Sequence, residues 1–271
     1  MRINGSIIGS VVTPSFLSGA TGVWSMQNVE LANRQIIWPT NIVTNGLVLF
    51  LDANNTNSYP GSGTTWADLS GNGYTGTLTN GPTFSSANGG SIVFDGTNDY
   101  VNLANTSGLN FTNTTGTVSI WFKTSASTTN GPILISKQMD DTGGWAISME
   151  SAAIPYFETK NSGGGATAFY RYVNKVCNDG IWHNIVAVFT TSTTVIANNT
   201  VSMYLDGVLA NGTQTQITVY GGNTAGTVQI ARRSSGNYYN GNISNVQIYN
   251  RGLTASEVLQ NFNVTRTKFG V

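Results

Sequence analysis

Charge is scarce in this chain. Only 9% of its 271 residues are Asp, Glu, Lys or Arg, and 12 basic residues balance 12 acidic ones. Nucleic acid and anionic membrane surfaces both select for a basic field, so neither is expected as a partner. Cysteine occurs once, as Cys177, so no internal disulfide can form and the thiol is expected to serve as a small buried hydrophobe. Histidine also occurs once, as His183. One Cys and one His cannot close a zinc site. Any Ser–His–Asp chemistry would have to use His183, which opens an apolar strand-like run and reads as structural. No apolar run is long enough to span a bilayer. The opening MRINGSIIGSVVTPS has no long apolar core, so no signal peptide is expected. Neither GSGTT nor NSGGG is followed by Lys or set between strand and helix, which excludes a phosphate loop.

The carboxylates are equally sparse where catalysis would need them. Glycoside hydrolysis requires two carboxyls roughly 5–5.5 Å or 6.5–9.5 Å apart. The glutamates are Glu30, Glu150, Glu158 and Glu257, and none has an acid two residues away, where strand alternation would put both on one face. Asp140 and Asp141 are adjacent and would face opposite sides of a strand. No enzyme activity is expected.

What the chain does have is short alternating apolar runs punctuated by glycine. In GSIVFDGTNDYVNL (90–103), Ile92 and Phe94 point one way and Val93 and Asp95 the other. DGTND then turns the chain on Gly96 and Asn98, and Tyr100, Val101 and Leu103 resume an extended run. GLVLFLD (46–52) reads as a strand buried on both faces, and Val118, Ile120 and Phe122 alternate with Ser119, Trp121 and Lys123. Ile133 to Lys137 and Trp145 to Met149 read as a hairpin. Asp206-Gly207 is a two-residue hairpin signal. One helix is predicted over 254–262, where Thr254 and Glu257 have the spacing of a capping box. The length suits one sandwich domain plus an arm.

WADLSGNGYTGTL, FDGTNDYVNL, TVSIWFKT, WHNIVAVF, VSMYLDGVL and YYNGNISNVQIYNRGLTASEV follow one another from Trp66 to Val258. In that order they resemble the laminin-G-like members of the concanavalin A-like lectin/glucanase superfamily. The resemblance implies an all-β, two-sheet antiparallel jelly roll over 46–271, with a short C-terminal helix. Residues 1–45 are expected to form a separate leading arm, with a brief helix predicted at 25–35, too short to have its own core. Its Trp24, Met26, Ile36, Ile37 and Trp38 are expected to bury against the sandwich or against another subunit. GVWSMQNVELANRQIIWP in that arm, and the ending QNFNVTRTKFGV, resemble segments of tailed-phage virion proteins.

Two binding chemistries remain open at this level. Asp52, Asp68, Asp95 and Asp99 lie near predicted strand ends, and laminin-G-like relatives hold calcium at the sandwich rim. Against that, Ser244 and Asn245 stand where many relatives have acids, and Asp95 and Asp99 can cap their own turn. Trp145, Tyr156, Tyr170, Tyr172, Tyr220, Tyr238 and Tyr239 sit near predicted loops or edges among Asn and Gly, a setting for sugar stacking. The resulting expectation is a virion surface protein, made in the host cytoplasm. It would be a head decoration, head fibre or tail fibre component whose partners are capsid or tail proteins and its own copies. The alternative is a lectin-like module for host-surface glycans; a glycoside hydrolase stands last.

Overall fold

The computed structural model describes residues 41–103, 106–137, 142–162, 167–195, 197, 199–216, 218, 226–233 and 236–271. Trp24, Met26, Ile36, Ile37 and Trp38, the expected helix at 25–35, Asp140, Asp141 and Tyr220 lie outside the described residues. The unit described below runs from Val43 to Val271.

In chain order the strands are β1 (Leu47–Asp52), β2 (Thr65–Trp66), β3 (Gly76–Thr79), β4 (Thr83–Ser85), β5 (Ser91–Asp95) and β6 (Tyr100–Leu103). They continue with β7 (Thr115–Lys123), β8 (Ile133–Lys137), β9 (Thr142–Met149), β10 (Pro155–Ser162), β11 (Thr167–Val173) and β12 (Trp182–Thr190). The last are β13 (Thr200–Leu205), β14 (Val208–Leu209), β15 (Asn211–Gln216), β16 (Val228–Ile230) and β17 (Asn240–Tyr249), and one α-helix follows, α1 (Ala255–Thr265). Among the described residues the strands form two antiparallel sheets. Sheet I has the order β14-β13-β12-β7-β17-β5-β4, with β1 also on β17, and sheet II the order β15-β11-β10-β9-β8-β16-β6-β3-β2. The expected all-β sandwich with one short terminal helix is what the chain forms.

The corner at 95–99 carries the chain from β5 in sheet I to β6 in sheet II. Gly96 takes φ +76°, and a Cβ there would stand 2.7 Å from Asn240 Cβ. The Asp95 carboxylate accepts the backbone N–H of Thr97 at 2.7 Å and closes the turn on itself. From this corner Ile92, Phe94, Val101 and Leu103 all enter one core shared by both sheets. β1 departs from the expectation of burial on both faces. It pairs only with β17, so Leu49 and Leu51 are buried while Val48 and Phe50 stay half exposed.

The outer face of sheet I is covered. Thr254 accepts the N–H of Glu257 and Glu257 accepts that of Thr254, so the capping box forms and sets the start of α1. From there α1 lays Val258 beside Val186, Tyr204, Tyr249 and Leu253, and lays Phe262 over Trp121. Trp121 stacks on Phe262 at 5.5 Å and on Phe269 at 4.2 Å, and Phe269 also meets Trp182 at 4.8 Å. The indole N–H of Trp121 donates to Thr265 Oγ1 at 2.9 Å, so its one polar atom is satisfied under the cover. Gly207, in the β13–β14 turn, lies beneath Phe262: a Cβ there would come within 2.8 Å of that ring. Asp206 and Gly207 both have positive φ, as a type I′ hairpin requires.

His183 ties β12 to the same turn. Its Nδ1 lies 2.8 Å from Asp206 Oδ2, and its Nε2 lies 3.3 Å from Asp179. Burial disfavours the imidazolium, but the two carboxylates more than offset it, so the His183 pKa is raised. Cys177 is buried beside them, and burial pushes its thiol up to about 12, which makes it inert rather than nucleophilic.

Two predictions follow from this cover. Phe269→Ala removes a buried ring from the Trp121 stack and should cost about 3 kcal/mol, near the lower end for Phe→Ala in a core, read as a lowered urea midpoint; a change below about 0.5 kcal/mol would mean the C-terminus adds nothing to the fold. His183 is the single histidine, so one imidazole resonance reports its titration, and its midpoint in folded protein should exceed ~6.5. The stabilisation it supplies is fully present below that unfolded value and is lost as pH rises through the folded one. A midpoint at or below ~6.5 would contradict the two-carboxylate clamp.

Candidate functional site

Sheet II has no helix over its outer face among the described residues. The register sets two rows of side chains there. Tyr172, Tyr156, Ser148 and Ile133 are cross-strand partners in one, and Tyr170, Glu158, Ala146, Ser136, Gln229, Asn102 and Thr77 in the other. Strand alternation produces this directly: Tyr156, Glu158 and Lys160 share a face, as do Tyr170 and Tyr172, while Phe157 faces the core.

Glu158 is the unusual member. It is only 5% exposed although it lies on the outward side of the sheet, because tyrosines surround it. Tyr172 stands 5.0 Å from Tyr156 and 5.4 Å, edge-on, from Tyr170. Tyr156 Oη and Ser148 Oγ donate to Glu158 Oε1, at 3.4 and 3.5 Å, both at the long limit of a hydrogen bond. Oε2 has no hydrogen-bond partner among the described residues. Burial raises the Glu158 pKa; Lys160 and Arg233 pull it partly back. Burial also raises that of Tyr172.

Beside this cluster the loop after β16 folds toward the same face. The Arg232 guanidinium lies over the Tyr100 ring at 4.2 Å and over Tyr238 at 5.6 Å, a cation held between two aromatic faces. Arg233 Nη2 donates to Asn237 Oδ1 at 2.9 Å, and the Asn237 carbonyl accepts the N–H of Ile133, which pins the loop to β8. The face therefore combines half-buried tyrosine rings, neutral hydrogen-bonding groups and an embedded carboxylate.

The residues expected to stack sugars divide accordingly. Tyr156, Tyr170, Tyr172 and Tyr238 are half-buried on this face. Trp145 and Tyr239 require correction: they are 1% and 0% exposed and point into the core. Trp145 meets Phe111 at 5.7 Å and donates to the Leu109 carbonyl, and Tyr239 meets Phe94 and donates to that of Lys123. Trp145 follows the parity of Ile147 and Met149 into the core, whereas the partner of Tyr239 comes from a strand far away in sequence. Glu158, Arg232 and Arg233 were missed; the one signal available was Tyr-x-Glu parity in β10.

The four aspartates do not assemble. Asp68 accepts the N–H groups of Phe50, Ser70 and Tyr74 and the Ser70 hydroxyl, which engages both oxygens in loop structure. Asp99 Oδ2 accepts the N–H of Asp95, and Asp52 accepts that of Asn54 while lying 3.5 Å from Lys268 Nζ. Among the described residues no three His, Cys, Asp or Glu side chains are placed to hold a metal ion. These side chains do not fit a calcium site. At one rim the chain supplies its own cation: buried Lys137 donates to Thr106 O, Thr106 Oγ1 and Gly226 O at 3.0, 3.2 and 2.9 Å. Burial lowers its pKa to about 8. Elsewhere a hollow of about 520 Å³ is lined by Asn113, Thr190, Thr191, Ser192, Ala197 and Thr200, with no aromatic ring.

Residues 95–259, more than half of the chain, match a family model described as "Concanavalin A-like lectin/glucanases superfamily". Among solved structures the fold is similar to the binding domain of the Paraclostridial mosquitocidal protein 1 (TM-score 0.59, 17% identity, covering 81% of this chain and 52% of that one). It is also similar to domain 4 of AbnA, a GH43 extracellular arabinanase from Geobacillus stearothermophilus, in complex with arabinotriose (0.58, 19%, 81% and 98%). A third is the binding domain of botulinum neurotoxin DC in complex with SialylT (0.57, 15%, 82% and 51%). The chain thus spans about half of each toxin binding domain and nearly all of the arabinanase domain. No curated protein matches it by sequence.

Proposed function

The chain belongs to the concanavalin A-like lectin/glucanase superfamily, and from that premise we propose that it is a carbohydrate-binding domain that works by adhesion, without turnover. The observation that carries the reading is the asymmetry of the sandwich: sheet I is sealed by α1 and the C-terminal rings, while sheet II presents tyrosines, amides and hydroxyls. Such a mixture suits a sugar, whose C–H face packs on a ring while its hydroxyls take hydrogen bonds. Domain 4 of the arabinanase, seen with arabinotriose, and the neurotoxin domain, seen with SialylT, lend support from the same fold. The fold also hosts enzymes, so the argument against hydrolysis rests on the side chains. Glu257 is bound to Arg251 at 2.6 Å and to the helix cap, and Glu158 is embedded among tyrosines. Neither offers the paired, water-accessible carboxyls of a glycosidase.

The second reading places this domain on a tailed-phage particle, with capsid or tail proteins and copies of itself as partners. It rests on residues 22–39 and 260–271, which resemble phage virion proteins. Within the latter segment Phe262, Thr265 and Phe269 build the cover over sheet I, so part of that likeness is a packing requirement.

The full chain applied to a glycan array, with calcium and with chelator, should give hits that are the same in both conditions. The same chain should release no reducing ends from any polysaccharide that it retains. An empty array overturns carbohydrate binding, and reducing-end release overturns the absence of turnover. For the particle reading, antibody against this domain should decorate intact virions; unlabelled particles that contain the polypeptide only in their interior would contradict it.

A further inference from the structure

Among the described residues, Glu158 is a buried acid that receives only long side-chain hydrogen bonds and no backbone N–H. Asp52 has Lys268, and the buried Lys137 ammonium has three oxygens for its three protons. Glu158 has two long hydrogen bonds on one oxygen and none on the other, beside half-buried tyrosines on a face whose Ser136, Ala146 and Ser148 are buried. Its Oε2 is not sealed off like the buried, unpartnered Trp66 Nε1 or Asn245 Oδ1, so it stays open to a donor from outside, while the burial of the rest of the side chain disfavours its charge. A glutamine or leucine at 158 would fit the fold with less penalty.

Resting on the carbohydrate-binding reading, we infer that Glu158 Oε2 and the rings of Tyr170 and Tyr172 form a subsite for a neutral sugar unit, with hydroxyl donors on the carboxylate and its apolar face on the rings. The ligand supplies the donors that the protein withholds. Its charge class follows from the neighbours. Lys160 and Arg233 already act on Glu158 as opposite charges, so an amino sugar would add a third cation to the place. An acidic sugar would set its carboxylate against Glu158. A neutral polyol meets neither penalty, and its O–H groups make short charge-assisted bonds to the carboxylate. The acidic, basic and phenolic side chains on this face are Glu158, Lys160, Glu150, Tyr156, Tyr170 and Tyr172, with Arg232 and Arg233 beside them. Only Glu158 loses its acceptor character on acidification while facing the sugar, so affinity should fall as pH drops through its raised value.

The test is calorimetric titration of the full chain with the neutral trisaccharides arabinotriose, cellotriose and maltotriose, the cationic glucosamine trimer and the anionic galacturonate trimer. At least one neutral trisaccharide should bind with Kd of about 1 mM or tighter. Glu158→Gln and Tyr172→Ala should each weaken it tenfold or more, and both charged trimers should bind less well. Glu158→Gln should melt at or above the parent temperature at pH 7, because removing a buried charge relieves the fold while it impairs the site. Neutral-sugar affinity that survives both substitutions would remove the subsite but leave carbohydrate binding standing. Tighter binding of a charged trimer would overturn the charge class, and a strongly lowered melting temperature for Glu158→Gln would make Glu158 structural. No binding by any trimer, together with an empty glycan array, would remove both readings.

Discussion

The stack of Trp121 with Phe262, Phe269 and Trp182 decides which side of this molecule is available to a partner. Trp121 lies on the outward side of β7, where an alternating strand would normally meet water. Its ring is 1% exposed because the chain returns after β17, caps α1 with Thr254 and Glu257, and brings two phenylalanines down on it. Each such ring contributes a few kcal/mol by leaving water. With α1 and the two phenylalanines over sheet I, the sheet face that carries half-buried tyrosines among the described residues is that of sheet II, at Tyr100, Tyr156, Tyr170 and Tyr172.

Two buried ionic groups show how differently the fold treats structure and site. Lys137 enters the interior near the rim, and every proton of its ammonium meets an oxygen from the loops at Thr106 and Gly226. It serves the role that a bound cation plays elsewhere, holding two loops to one point. Glu158 receives no such provision. The two sit on opposite sides of the same sheet: Lys137 is the cross-strand partner of Trp145, and Glu158 that of Ala146. A satisfied buried charge rigidifies its surroundings, whereas a half-satisfied one facing solvent is poised to accept donors from outside.

Many strands of this fold were legible because they advertise themselves locally. Ile92, Phe94, Val101 and Leu103 fall on the core side by parity alone, and the 95–99 corner and the Asp206-Gly207 turn announce themselves by turn chemistry. Burial on the outer faces was not legible. Trp145 shares parity with Ile147 and Met149, which places it on the core side, whereas nothing near Tyr239 distinguishes an inward ring from an outward one until Phe94 of the far-off β5 is in place. Trp121 is the converse case, outward by parity and buried by a helix about 140 residues later. Glu158 was visible as a residue type, but its meaning depends on the register that sets Tyr170 and Tyr172 of β11 beside it. The aspartates are a related case: sequence shows where carboxylates lie, whereas their commitment to backbone N–H groups, as at Asp68, appears only in three dimensions.

The central claim is that recognition takes place on the outer face of sheet II. Backbone amide chemical-shift mapping with a bound neutral oligosaccharide tests it most directly. The account predicts that the shifted amides cluster on β9, β10 and β11 and on the loop that carries Arg232 and Tyr238. Shifts gathered instead on α1, or around the hollow lined by Asn113 and Thr200, would contradict it.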